Sequence, residues 1–400
     1  MYALLTTVAL ALVAATSASP DTLHLAAALR IARENRGSLA AAAALVREAR
    51  ADRQVAGTIP NPSIRLSFDE SAPRRQVMAD QPLSWLARRS AERGRAAAGL
   101  DRALADSTLR DADLSREVKQ AFHGALASEG RLVALIDQAR IADSVVALGR
   151  RRAEAGDISS LELEQIIQEA ARAKQSVNEG NERRAAAMFQ LARALGVADT
   201  NGLTPAGDLA EGLDAPLPDL PSSMRALPGI RIAAADSAAA ARHLSSVARD
   251  RLPIPSALLG VEWDEPDAVI RRSYLIIGVS LPLPVWNIGT GRSRVARAAA
   301  DRAAADLREA TLETERIVRE HRARIEARSH RARLAQNTIR PSAERVRTGT
   351  LRQYAVGRAT VLAVFESLRA ERDITLALID DLVAFQNARA DLNAILGRSN

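Results

Sequence analysis

Ala155-Gly156-Asp157-Ile158-Ser159-Ser160-Leu161 ends one long charged stretch, and Val356-Gly357-Arg358-Ala359-Thr360-Val361-Leu362 ends another, 201 residues further on. Each reads as a helix stopped at a glycine turn, because glycine readily takes the left-handed conformation that closes a helix. The same shift carries Leu195-Gly196 onto Leu396-Gly397, and a shift of 200 carries Asp101-Arg102-Ala103 onto Asp301-Arg302-Ala303. A chain that repeats over half its length is one architectural unit built twice.

What lies between these turns is helical. From about Ser90 to Ala155 no proline occurs, and Leu132, Leu135, Ala139, Ala142 and Val146 step by threes and fours, as in a coiled coil. At 1.5 Å per residue that stretch makes a rod of about 100 Å. Gly130 is its one weak point. A second helix, about Ser159 to Leu195, returns antiparallel. In the other half a rod from about Gly291 to Val356 meets Pro341, which should kink it or mark a joint, and Thr360 to Leu396 returns.

Upstream of each rod the period changes. Asp21 to Ala56 reads as a helix capped by Asp21, with Leu25, Leu29 and Ile31 opening an apolar stripe. After Pro60-Asn61-Pro62, residues Ser63 to Asp69 alternate apolar and polar, the mark of a strand with one greasy and one wet face. A turn through Ser71–Arg74 leads to a weaker strand, about Gln76 to Leu83, so a β-hairpin spans 63–83. Following a Pro-rich linker (196–222) and a helix from about Pro228 to Arg251, Pro253-Ile254-Pro255-Ser256 echoes the earlier step. A second hairpin at 257–282 passes through a Pro266 loop, and Leu275, Ile277, Val279 and Leu281 share one face of its second strand. The expected organisation is a signal peptide at 1–19, a first repeat at 20–222 and a second at 223–400. Four strands cannot close a barrel, and lipid tolerates no open sheet edge. If the strands enter a membrane, several copies must pool them; three would supply twelve.

Composition narrows the function. Aromatics are only 3%, which suits long helices with small side chains at their contacts better than a thick aromatic core. The net charge of +7 comes from 55 basic and 48 acidic residues interspersed without a basic run, so solvated helix faces account for it and nucleic acid is not an expected partner. No cysteine is present, which removes disulfides, thiolate metal sites and a cysteine nucleophile. Leu4 to Ala15 is an apolar run of signal-peptide length before small residues, with cleavage expected near Ala18 or Ser19, although no basic n-region precedes it. No stretch reaches the ~18 apolar residues of a membrane-spanning helix. Insertion would have to use strands.

Catalytic constellations are not found. Gly289-Thr290-Gly291 opens a helix after a strand, but Arg294 occupies the third glycine position of a dinucleotide fingerprint. His24, His123, His243, His321 and His330 are scattered without ligand spacing, so no metal site and no cofactor are expected. Trp85, Trp263 and Trp286 fall at or just beyond strand ends, where a membrane-interface girdle places aromatics.

Taken in order, the residues resemble the TolC family of outer membrane factors over about 21–397. The likeness rests on element order and on Leu25-Ala26-Ala27-Ala28-Leu29-Arg30-Ile31-Ala32 with Asn35, Ile59-Pro60-Asn61-Pro62-Ser63, Gln81-Pro82-Leu83, Ala155-Gly156-Asp157-Ile158-Ser159 and Gly278-Val279-Ser280-Leu281-Pro282-Leu283-Pro284. Its compact loops and Asn-Pro-Ser step resemble the heavy-metal efflux branch. The resemblance implies a mostly α chain with a small β part. It implies a homotrimer, with a 12-stranded β-barrel in outer membrane lipid and a periplasmic α-barrel. It further implies an adaptor docked on the tips Gly156, Asp157, Ile158, Ser159 and Gly357, Arg358, Ala359, Thr360, with an inner-membrane pump as the indirect partner. Acidic residues narrow such channels near the tips. The matching positions here are Ala363 and Glu366, so one acid is replaced, and Glu162 follows the first tip at similar distance. The implied function is a passive, gated efflux duct and not an enzyme. The alternatives are the exit duct of type I protein secretion and, from another class, a soluble coiled-coil scaffold.

Overall fold

The computed structural model describes residues 22–69, 74–200, 203–249, 253–264, 273–283 and 289–399. The expected signal peptide, the Asp21 cap, the Pro266 loop and Trp286 lie outside the described residues. The fold is mostly helical, in the order β1 (Thr22–Leu23), α1 (Leu25–Asn35), α2 (Gly37–Val55), β2 (Ser63–Asp69), β3 (Arg74–Pro82), α3 (Ser84–Glu154) and α4 (Ser160–Leu195). Then follow β4 (Thr204–Pro205), a 3-10 turn at Met224–Ala226, α5 (Pro228–Arg249), β5 (Ser256–Asp264), β6 (Ser273–Ser280), α6 (Thr290–Leu334), α7 (Arg340–Ala355) and α8 (Val361–Ile395).

Three local features refine the sequence reading. The helix expected over 21–56 is divided: β1 precedes it, and Arg36 breaks it in an extended conformation (φ −84°, ψ 112°) while its guanidinium holds Glu117 at 3.0 Å. The first rod starts six residues earlier than Ser90 and runs unbroken through Gly130. There a Cβ would stand 3.6 Å from Ile379, an ordinary contact, so the glycine sits against α8 without any close approach that requires it. Near Pro341 the second rod is jointed, one of the two outcomes expected there: a five-residue π-helical turn, Ala335–Ile339, joins α6 to α7. Proline lacks the N–H that the preceding turn needs, and a π turn is a usual way for a helix to absorb such a defect.

Contacts divide the chain into two compact units that cut across the repeats. The first takes residues up to Glu34, Ala121–Glu211 and Arg340–Asp380. In it β1 pairs in parallel with β4, and a core of Ala139, Ala142, Val145, Ile166, Ala170, Tyr354, Val361, Val364, Phe365 and Leu368 joins α3, α4, α7 and α8. Alanine recurs in it because helices approach closely only over small side chains.

The second unit takes Asn35–Gln120, Gly212–Ile339 and the residues from Asp381 onward. It holds one four-stranded antiparallel sheet in the order β2-β3-β5-β6. The two hairpins are therefore joined through β3 and β5, with Val77 opposite Val261 and Ala79 opposite Leu259. Register carries apolar residues across all four strands on one face, as Leu66–Val77–Val261–Leu275 and Ile64–Ala79–Leu259–Ile277. The other face carries Ser67–Gln76–Glu262–Tyr274 and Arg65–Met78–Gly260–Ile276. Alternation along each strand fixes which residues share a face. The apolar face is uncovered: Ile64, Leu66, Phe68, Leu275, Ile277 and Val279 are all more than 60% exposed. In water, burying each such side chain would be worth about 1.5–3 kcal/mol, so a bare face of this size calls for an apolar surrounding.

Candidate functional site

The two tip turns have the same backbone. Gly156 stands at φ +81° and Gly357 at φ +73°, both in the left-handed region. At the first, Gly156 N–H donates to Ala153 C=O at 3.0 Å and Asp157 N–H to Arg152 C=O at 2.8 Å. At the second, Gly357 donates to Tyr354 at 3.0 Å and Arg358 to Gln353 at 2.8 Å. This crossed pair of bonds is the Schellman motif, which satisfies the orphan carbonyls of a helix end. The returning helices are capped alike. Ser159 Oγ accepts from Glu162 N–H at 3.2 Å, and Thr360 Oγ1 from Ala363 N–H at 3.3 Å.

Exposure also repeats. Gly156, Asp157 and Ser159 are exposed, as are Gly357, Arg358 and Thr360. Ile158 and Ala359 turn inward against the core just below. Leu161 and Leu362, at equivalent positions beside the turns, are 69% and 60% exposed. Each turn thus offers polar backbone flanked by a bare leucine. The leucines were visible in the motifs, but nothing in their spacing marked them as exposed.

Beneath the turns the two repeats are tied by side chains that the sequence did not single out. Arg152 of α3 lies over the ring of Tyr354 of α7, 5.1 Å from its centroid. Tyr354 is 1% exposed, and burial raises its hydroxyl pKa, with the Glu162 carboxylate adding to the rise against the lowering by Arg152. Further along, Glu169 of α4 holds Arg172 at 2.8 Å and Arg369 of α8 at 2.5 Å. Burial opposes its charge, but the two guanidiniums outweigh that and keep its carboxyl below the ordinary glutamate value. Arg347 of α7 pairs with Glu371 of α8, both half-buried. Arginines are too frequent in this sequence for any one to stand out.

The acidic positions are less alike. Glu366 is exposed on α8, and among the described residues it forms no ion pair. Glu162 is half-buried in the first turn of α4, close enough to Tyr354 to act on it. The structure does not bring them together by any contact. Of the tryptophans, Trp85 sits in the first turn of α3 and Trp263 at the far end of β5, in the row Phe68–Arg75–Trp263–Ser273. They mark opposite ends of the sheet. Among the described residues no group of acids and histidines could hold a metal ion, and no helix is long and apolar enough to cross a membrane.

Residues 28–197 match the family model described as outer membrane efflux protein. That stretch of the chain is similar to the outer membrane efflux protein family. Over 394 residues the chain is 26% identical to CzcC, the cobalt-zinc-cadmium resistance protein of Cupriavidus metallidurans, covering 96% of this chain and 91% of that one. Its fold is shared with the CmeC outer membrane channel of Campylobacter jejuni (TM-score 0.75, 13% identity, 94% of this chain and 86% of that one). The same holds for VceC, an outer membrane protein of Vibrio cholerae (TM-score 0.74, 16% identity, 94% and 97%). A crystal structure of CusC matches with TM-score 0.76 at 16% identity, over 94% of this chain and 92% of that one.

Proposed function

We propose that this efflux channel protein works as a homotrimer, each copy giving four strands to one closed barrel and its helices to one periplasmic duct. The observation that carries the reading is the sheet β2-β3-β5-β6, with a bare apolar face and with edges β2 and β6 unpaired among the described residues. In hydrocarbon every backbone N–H and C=O must be satisfied, so open edges have to meet the edges of other copies. The duct does no bond chemistry. A periplasmic adaptor docks on the turns at Gly156–Ser159 and Gly357–Thr360, where exposed turn backbone and the leucines 161 and 362 meet its own apolar tip. An inner-membrane pump supplies the energy. Glu366 and Glu162 line the narrow entrance, and Trp85 and Trp263 anchor the sheet at the two headgroup layers.

The exported cargo we infer to be divalent metal cations, on the strength of the full-length likeness to a cobalt-zinc-cadmium resistance protein. The test has two arms. Purified in detergent, the chain should run as a heat-modifiable trimer and form channels in planar bilayers; a carbonate-washed, monomeric species would end the duct reading. Deleting the gene should lower resistance to zinc, cobalt or cadmium several-fold. Unchanged metal resistance with lost drug resistance would leave the duct and replace the cargo.

A further inference from the structure

Arginines without partners gather where the helices approach the sheet. Arg53 lies in the last turn of α2, Arg93 and Arg95 in the third turn of α3, Arg242 near the end of α5, and Arg292 and Arg294 at the start of α6. All six are exposed, and among the described residues none forms an ion pair or a hydrogen bond. Two acids share the level, Asp52 and Glu92, and both are exposed as well. Packing brings the helices to one level. A Cβ at Gly57, just past α2, would stand 2.7 Å from Arg93 Nη2, and one at Gly94 would stand 3.0 Å from Arg242 Cδ. Farther along α3 and α6 some arginines do pair: Arg102 with Asp236, Arg110 with Asp106, Arg302 with Asp306, and Arg316 with Glu313 and Glu320.

The order of residues along α3 gives the cluster its meaning. After β3 ends at Pro82 come Trp85 and Leu86, the latter 63% exposed. Arg89 then stacks on Trp85 at 5.8 Å, and Arg93 follows one turn on. With 1.5 Å of rise per residue, the two arginines lie about 10 and 16 Å beyond the last strand residue. That order of apolar band, tryptophan and then guanidinium follows the profile of a bilayer leaflet from hydrocarbon through interface to phosphate. A headgroup layer is about 5–8 Å deep, and long arginine side chains reach back along the helix to meet it. Guanidinium is suited to phosphate because its planar fork matches the oxygens in pairs. Val55, Ile59, Leu281, Leu283 and Val295, all exposed, intersperse apolar surface with the charge.

We infer that this arginine collar binds the phosphates of anionic phospholipids in the leaflet that faces the helices. The inference rests on the outer membrane barrel proposed above. It gives the protein a lipid requirement: anionic headgroups neutralise the collar and seat the sheet at a fixed depth. The competing occupants are acids of a neighbouring copy or the lumen water.

The full chain is reconstituted with equal amounts of phosphatidylglycerol and phosphatidylcholine, and the retained lipids are read by native mass spectrometry. Wild type should retain phosphatidylglycerol over phosphatidylcholine, by roughly fivefold for each arginine engaged, and high salt should abolish the preference. The combined Arg93→Gln, Arg292→Gln and Arg294→Gln variant should lose most of it, while the lysine version of the same three keeps most of it. In pure phosphatidylcholine the glutamine variant should assemble as wild type does. Equal retention of both lipids by wild type overturns the inference whether or not any variant folds. So does a glutamine variant that loses assembly in phosphatidylcholine, which would assign the arginines to copy–copy contacts. So, too, does one that changes ion selectivity while keeping its lipid preference. A chain that enters neither vesicle would instead remove the barrel reading on which this one stands.

Discussion

The two tips share a backbone and differ in what hangs from it. Both end a helix with a left-handed glycine and crossed bonds, and both begin the next with a hydroxyl cap. Yet Asp157 faces Arg358 across the repeat, Glu162 faces Ala363, and Ala153 faces Tyr354. The second repeat supplies the aromatic that fills the shared core, and the first supplies the arginine that lies over it. The two turns agree in what helix geometry requires and differ in packing and charge. A symmetric pair of turns thus carries an asymmetric pair of surfaces, one acidic and one basic.

That contrast can be broken most sharply at Tyr354. Removing its ring empties a fully buried site, so Tyr354→Ala should cost about 3–5 kcal/mol and lower the heat-unfolding midpoint more than any other tip change. The equivalent Ala153 has no such ring to lose. If Tyr354→Ala unfolds like wild type, the asymmetric core is not what holds the tips.

Glycine tests the symmetric half of the comparison. Gly156→Ala and Gly357→Ala should each cost about 1–2 kcal/mol from left-handed strain alone. The nearest atom to an added Cβ is none within 4 Å at the first and Arg152 Nη2 at 3.8 Å at the second. Equal midpoint shifts are expected; a clear inequality would mean that the turns are not equivalent. The caps come next. Ser159→Ala and Thr360→Ala should each lose about 1 kcal/mol, read as matching shifts in the same melting experiment.

Glu169 sharpens the electrostatic side. Its carboxyl is held below the ordinary value near 4.5, so its contribution is present above that value and is lost as pH falls through and below it. Glu169→Gln should flatten the acid limb of stability against pH, leaving neutral pH to report only the loss of its pairs with Arg172 and Arg369. The smallest effect on stability belongs to Glu366, which is exposed and unpaired among the described residues. Glu366→Ala should leave trimer melting unchanged while raising single-channel conductance in planar bilayers. Unaltered conductance would remove Glu366 from the entrance.

Much of this molecule was legible from residue order. The glycine turns, the return helices and strand β2 follow from local rules, because φ/ψ preference and side-chain period act over a few neighbours. Pro341 announced a defect in the second rod, though not that a π turn would absorb it. The break at Arg36 was not legible, since a long helical composition hides one extended residue whose reason is a glutamate 81 positions away.

Sequence by itself determined the two glycine turns, the kinds of element and the greasy faces of β2 and β6. Tertiary structure alone decided that β3 pairs with β5, that Arg152 meets Tyr354 across 202 positions, and that each compact unit draws on both repeats. The physical reason is that a helix or strand carries its own hydrogen-bonding pattern. Which of its faces meets which neighbour depends on shapes and charges brought together from distant segments, and no single stretch encodes them.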